Sequence, residues 1–121
     1  MRNLVVIDDE QKYRDIIAEI AGGVLSKRAP GEWDVLAPNT LDEALDAVLD
    51  TRRDAGIVLI DGTLNTAGYQ ALKDPWASVR EFENTRGWQV ADHIKHDRPD
   101  TVRVSLNGSL HMGNHTDLEI K

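Results

Sequence analysis

The chain predicts an α/β domain in which a mostly parallel sheet carries helices on its faces. Two observations carry that prediction. Short apolar runs and helix-period segments alternate from one end of the chain to the other, the order that folds as successive strand–helix–strand units. Two of the runs, Leu4 to Ile7 and Gly56 to Ile60, are almost wholly apolar, as strands covered on both faces are. At 121 residues the chain is read as one domain spanning 1–121.

Each element has its own signal. Leu4-Val5-Val6-Ile7 is short and β-branched, so it reads as the first strand. Gln11 to Leu25 follows as a helix, with Tyr13, Ile16, Ile17, Ile20 and Val24 at helical spacing; Gly22-Gly23 should weaken or end it. Trp33 to Leu36 fits a second strand. Thr40-Leu41-Asp42-Glu43 has capping-box spacing, and Leu41, Ala44, Leu45, Val48 and Leu49 continue it as one helical face. Gly56 to Ile60 is the third strand. Gly87 to His96 reads as a helix through Val90, Ala91 and Ile94, stopped by Pro99. Val102, Val104 and Leu106 alternate with Arg103 and Ser105, and Leu118 and Ile120 with Asp117 and Glu119. That alternation predicts two strands with one face less covered.

The segment 62–86 is too long for an ordinary strand-to-helix loop. Its Trp76, Val79 and Phe82 recur every three residues, which predicts a short helix inside an insertion.

Composition removes several classes of function. A formal net charge of −7 opposes binding to nucleic acid or to an anionic membrane. No apolar run approaches the roughly 18 residues of a membrane span, and the immediate strand at Leu4 leaves no room for a signal peptide. The chain has no Cys, which excludes disulfides and thiolate zinc sites. A cytoplasmic location is the expectation.

In an open parallel sheet, ligands sit outside the carboxyl ends of the strands. The residues there are Asp8, Asp9, Asp61, Asn107 and Lys121. If the first and third strands are neighbours, three carboxylates lie side by side. Two carboxylates about 4 Å apart repel by about 4 kcal/mol at an effective dielectric of 20, so a cation is expected among them. Mg²⁺ suits carboxylates, a backbone carbonyl and waters, and it leaves waters for a phosphate to displace. The alternative is that Asp8 flanks a helix start while Asp61 merely ends a strand.

Ile7-Asp8-Asp9-Glu10, Asp61 after Ile57-Val58-Leu59-Ile60, and Gly87-Trp88-Gln89-Val90-Ala91-Asp92-His93-Ile94-Lys95 together resemble the response-regulator receiver domain across nearly the whole chain. The resemblance implies a doubly wound, flavodoxin-like fold with strand order 2-1-3-4-5. It implies that Asp61 is a phosphoacceptor. Asp9, with Asp8 largely through water, would hold Mg²⁺ together with Asp61 and the carbonyl of Thr63. The donor would be a sensor histidine kinase, a histidine phosphotransfer protein or a small phosphodonor. The chain would catalyse only its own phosphorylation and hydrolysis, and so would not be an enzyme in the ordinary sense.

Departures from the family pattern accompany these matches. Asn107-Gly108 stands where the family has Thr or Ser and a small residue; Ser105 or Ser109 would serve after a two-residue slip. Lys121 matches the family's lysine at the end of the fifth strand, and Leu118 replaces its usual aromatic switch residue. Too little chain separates Asn107 from Lys121 for the usual fourth helix, and no fifth helix follows, so both are expected to be reduced or missing. The exposed last strand is then expected to be covered by a second copy or a partner protein.

Other readings compete. A receiver that no longer switches would act as a phosphorylation-independent interaction module. Asp61-Gly62-Thr63-Leu64 also matches half of the haloacid-dehalogenase phosphatase motif, but Leu59 stands where that family has its nucleophile. His111 and His115 have zinc-ligand spacing, yet Gly113 and Asn114 argue for a polar loop. His93 and His96 read as surface residues near a helix's negative end.

Overall fold

The computed structural model describes residues 1–61, 87–106 and 116–120. The strands are β1 (Arg2–Ile7), β2 (Trp33–Leu36), β3 (Asp54–Asp61), β4 (Val102–Leu106) and β5 (Leu118–Ile120). The helices are α1 (Gln11–Arg28), α2 (Leu41–Leu49) and α3 (Gly87–Asp97). All strand pairings are parallel and the sheet order is β2-β1-β3-β4-β5. The chain therefore has the expected doubly wound order. Residues 107–115, where a fourth helix would fall, and the 62–86 insertion lie outside the described residues.

Right-handed crossovers explain the layering. Stepping from β1 to β2 and back across to β3 puts α1 on one face and α2 on the other. α1 packs against β1 and β2, whereas α2 and α3 pack against each other and against the central strands. The main core lies on the α2/α3 side, where Val5, Ile7, Val58 and Ile60 of the sheet meet Leu41, Ala44, Leu45, Val48, Val90, Ala91 and Ile94. α2 starts where its capping box predicts: the Thr40 hydroxyl accepts from the Glu43 amide at 3.1 Å.

The β1–β3 register contains a shift that positions the strand ends. Asn3 pairs with Ala55, but Leu4 pairs with Ile57, so Gly56 is an extra residue on β3. A side chain there would collide with its surroundings. A Cβ on Gly56 would lie 2.7 Å from a nitrogen of Arg2 and 2.9 Å from the Trp33 ring. Those two side chains stack, with the guanidinium 4.6 Å from the ring centroid, and Arg2 also pairs with Asp54 at 3.3 Å.

Two features depart from the sequence reading. α1 continues through Gly22-Gly23 to Arg28. Half-buried Ile17, Ala18, Ala21 and Leu25 hold it to the sheet, and the Ala29 amide closes its last turn on the Leu25 carbonyl at 2.8 Å. Tyr13, Ile16, Ile20 and Val24 form an exposed stripe instead.

The second departure is in β4. Its polar residues lie inside: Arg103 is 2 % exposed and Ser105 is fully buried, while Val102 is 40 % exposed. Arg103 donates to the Ala91 carbonyl at 3.2 Å and to the Asp117 carboxylate at 3.4 Å. Ser105 donates to the Leu118 carbonyl and accepts from Thr116. Val104 is buried as well, so exposure among the apolar residues is confined to Val102 at the start of β4 and to Leu118 on β5, which is 60 % exposed.

A Cβ at Gly22 or Gly23 would meet nothing within 4 Å. Gly22→Ala and Gly23→Ala should therefore each stabilise the protein by roughly 0.5–1 kcal/mol. Gly56→Val should destabilise it by about 1–3 kcal/mol through overpacking. Urea midpoints of the three variants check both expectations.

Candidate functional site

The site lies at the carboxyl ends of β1 and β3. Ile7 pairs with Ile60, so the next residues on the two strands are Asp8 and Asp61. One carboxylate oxygen from each of Asp8, Asp9 and Asp61 lies within 4.8 Å of the others. Asp8 is 5 % exposed, and Asp61 is half-buried at the end of its strand. The structure thus brings together the three carboxylates that the sequence singled out. Thr63, Asn107 and Lys121 lie outside the described residues.

The Asp8 carboxylate accepts from the Glu10 amide at 2.9 Å, which turns the chain from β1 towards α1. Its backbone carbonyl accepts from Arg14 Nη1 at 2.8 Å, and Arg14 Nη2 donates to Asn39 Oδ1 at 3.1 Å. Arg14 is 3 % exposed on the first turns of α1. The sequence reading overlooked Arg14 because it followed apolar positions alone. The signal was present: Arg14 stands three, four, seven and eleven residues before Ile17, Ala18, Ala21 and Leu25, so it shares their sheet-facing side.

Burial raises the Asp8 carboxyl to about 6, and the Asp61 and Asp9 carboxylates add to the rise, against the lowering effect of the Glu10 amide. The donor set is oxygen-only and carries a concentrated negative charge, which fits a hard divalent cation. No helix among the described residues is long and apolar enough to cross a membrane.

The raised Asp8 carboxyl has a definite pH consequence. Folding favours its neutral form, so its contribution to stability is full below the ordinary carboxylate range and is lost as pH rises through about 6. In cation-free buffer the melting temperature should fall across that window, and Asp8→Asn should flatten the fall. A divalent cation held by these carboxylates would stabilise the fold more as pH rises from about 5 to about 7.5, because it would bind the ionised form. Thermal melts over that range, with and without Mg²⁺, check both signs.

No protein-family model matches the chain, and no curated protein matches it in sequence. Solved structures do match. A CheY-like response regulator receiver domain protein from Methanospirillum hungatei superposes with a TM-score of 0.62 at 15 % identity, over 99 % of this chain and 80 % of that one. The response regulator TrrA from Thermotoga maritima, solved with Mg²⁺ and BeF, gives 0.65 at 16 % identity, over 99 % and 85 %. TrrA in complex with the histidine kinase ThkA gives 0.59 at 19 % identity, over 99 % and 84 %. The strand order, the layering and these superpositions agree: the chain has the fold of the response-regulator receiver domain.

Proposed function

We propose that the chain is a phosphoacceptor receiver of a two-component or phosphorelay pathway, with Asp61 as the acceptor. The observation that carries this reading is the convergence of Asp8, Asp9 and Asp61 within 4.8 Å at the carboxyl ends of adjacent parallel strands. In the reaction, an Asp61 carboxylate oxygen forms a bond to the phosphorus of a phosphohistidine. The phosphorus–nitrogen bond breaks, its electron pair stays on the imidazole nitrogen, and that nitrogen takes a proton. The product is an acyl phosphate on Asp61, which water later hydrolyses.

The chain's contribution is position and charge. Bound Mg²⁺ would supply positive charge to the phosphoryl oxygens. Asp8, Asp9 and Asp61 would hold it, with the carbonyl of Thr63. Lys121 would pair with a phosphoryl oxygen, and the Asn107 amide would donate a second, weaker hydrogen bond. A histidine kinase or a histidine phosphotransfer protein is the donor this reading requires, and the kinase-bound TrrA structure supports such a partner. The reaction is confined to the chain's own aspartate, in a cytoplasmic setting.

One sequence observation favours a second reading. Asn107 lacks the hydroxyl of the family's Thr or Ser, and a receiver without that switch would work as a phosphorylation-independent binding module.

Incubation with acetyl phosphate or a phosphorylated kinase, followed by intact-mass measurement, separates the two. The wild-type chain should gain one phosphoryl group only when Mg²⁺ is present, and Asp61→Asn should gain none. Equal uptake by Asp61→Asn would sink the assignment.

A second outcome concerns the cation. Mg²⁺ at a hundredfold excess over its dissociation constant should stabilise the fold by about 2.7 kcal/mol. Asp9→Asn should lose that gain, and should raise stability without the cation by relieving carboxylate repulsion. Melts at millimolar Mg²⁺ measure it.

A further inference from the structure

We infer that Arg14 is a positioning residue of the carboxylate site, a fork that fixes the Asp8 peptide against the β2–α2 connection. The inference rests on the cation-binding reading of Asp8, Asp9 and Asp61 and deepens it. Its basis is the pair of bonds that the guanidinium makes. Nη1 donates to the Asp8 carbonyl at 2.8 Å, and Nη2 donates to Asn39 Oδ1 at 3.1 Å. Asn39 directly precedes Thr40, whose hydroxyl caps α2. One side chain thus joins the end of β1, the start of α1 and the start of α2.

Burying a guanidinium is expensive, and an apolar side chain of similar volume often packs as well or better. The neighbours of Arg14 on this side of α1 are Ile17, Ala18, Ala21 and Leu25, so an apolar residue would suit the packing. What an apolar residue cannot do is hold two acceptors on separate elements. Asp8 and Asp9 follow β1 on a two-way turn: the Asp8 carboxylate is held by the Glu10 amide at 2.9 Å, and its carbonyl is held by Arg14. With both ends of the residue fixed, the carboxylate cannot turn away from Asp61, although repulsion drives it to. Lysine keeps the charge but lacks the planar fork whose two nitrogens reach the two acceptors separately.

The test uses the whole chain and four variants: Arg14→Lys, Arg14→Gln, the exposed Asn39→Ala and the double variant Arg14→Lys with Asn39→Ala. Two quantities are measured, the Mg²⁺ dissociation constant by calorimetry and the hydrogen exchange of the Glu10 amide in cation-free buffer. Both Arg14 variants should weaken Mg²⁺ by about tenfold or more, the usual effect of removing a group that orients a metal ligand. Arg14→Lys should do no better than Arg14→Gln, because the fork and not the charge is required. Asn39→Ala should weaken Mg²⁺ less, and added to Arg14→Lys it should cost nothing further, since the two residues act as one unit. Glu10 exchange should accelerate in Arg14→Lys while the amides of Val58, Ile60 and Ile94 keep their protection.

Wild-type Mg²⁺ affinity and Glu10 exchange in Arg14→Lys would overturn the inference and leave the cation site standing. Uniform acceleration across the core would also overturn it, by reducing Arg14 to a packing residue. If the wild-type chain binds no Mg²⁺, the cation reading fails, and Glu10 exchange alone decides whether Arg14 positions Asp8.

Discussion

The site depends on a single extra residue in β3. A parallel pair has one register, and a slip of one residue exchanges the two faces of a strand. Without the bulge at Gly56, Leu4 would pair with Gly56 and Ile7 with Leu59. The core-facing Val5 and Ile7 would then align with the other face of β3, and Asp8 would meet Ile60 instead of Asp61. With the bulge, Val5 aligns with Val58 and Ile7 with Ile60, all four residues in one core. Hydrophobic burial therefore selects the register, and that register brings the aspartates together. The bulge itself is protected at the far end of the sheet, where Arg2 and Trp33 close over a position that has no room for a side chain.

Burial and repulsion then act on the same residue. Asp8 is enclosed because it follows a strand whose last five residues are buried. The enclosure penalises its charge, and the carboxylates of Asp9 and Asp61 penalise it further. A fold optimised for stability alone would place an amide or an apolar residue there. The arrangement instead stores unfavourable electrostatic energy that a divalent cation would relieve, so affinity for such a cation would be built from the same interactions that cost stability without it. Protonation of Asp8 releases part of that strain at low pH, and the bonds from Arg14 and the Glu10 amide would resist a second relaxation, a rotation of Asp8 away from its neighbours.

Most of this was legible in the sequence, for reasons that differ between elements. Uninterrupted apolar runs marked β1 and β3 because both of their faces are covered, and Thr40 with Glu43 marked the start of α2 because the cap is a local hydrogen bond. The acidic strand ends were legible because Asp8 and Asp61 directly follow the two apolar runs, and the resemblance to the receiver domain implied that those two strands are neighbours. Three features were not. Gly56 looked like an ordinary strand residue, since a bulge depends on the partner strand. Arg103 looked like a solvent-facing residue, yet its acceptors Ala91 and Asp117 are 12 and 14 residues away in the chain. Of the helical set Tyr13, Ile16, Ile17, Ile20 and Val24 only Ile17 is half-buried, and it shares the sheet-facing side of α1 with Arg14, Ala18, Ala21 and Leu25.

The buried Arg103 also explains how so short a strand as β5 holds its place. Three residues give few ladder hydrogen bonds, and Leu118 contributes little burial because it is mostly exposed. Asp117 supplies what is missing. Its amide donates to the Arg103 carbonyl at 2.8 Å, and its carboxylate accepts from the Arg103 amide at 2.8 Å and from the guanidinium at 3.4 Å. Arg103 is itself anchored on α3 through the Ala91 carbonyl. The order of dependence therefore runs from α3 to β4 to Asp117 to β5, so the strand that leads into Lys121 is placed by the helix that packs on β3, the strand of Asp61. β5 is thus tied to α3 through the buried Arg103 guanidinium, and the polar interior of β4 is the structural reason that a three-residue strand holds its place.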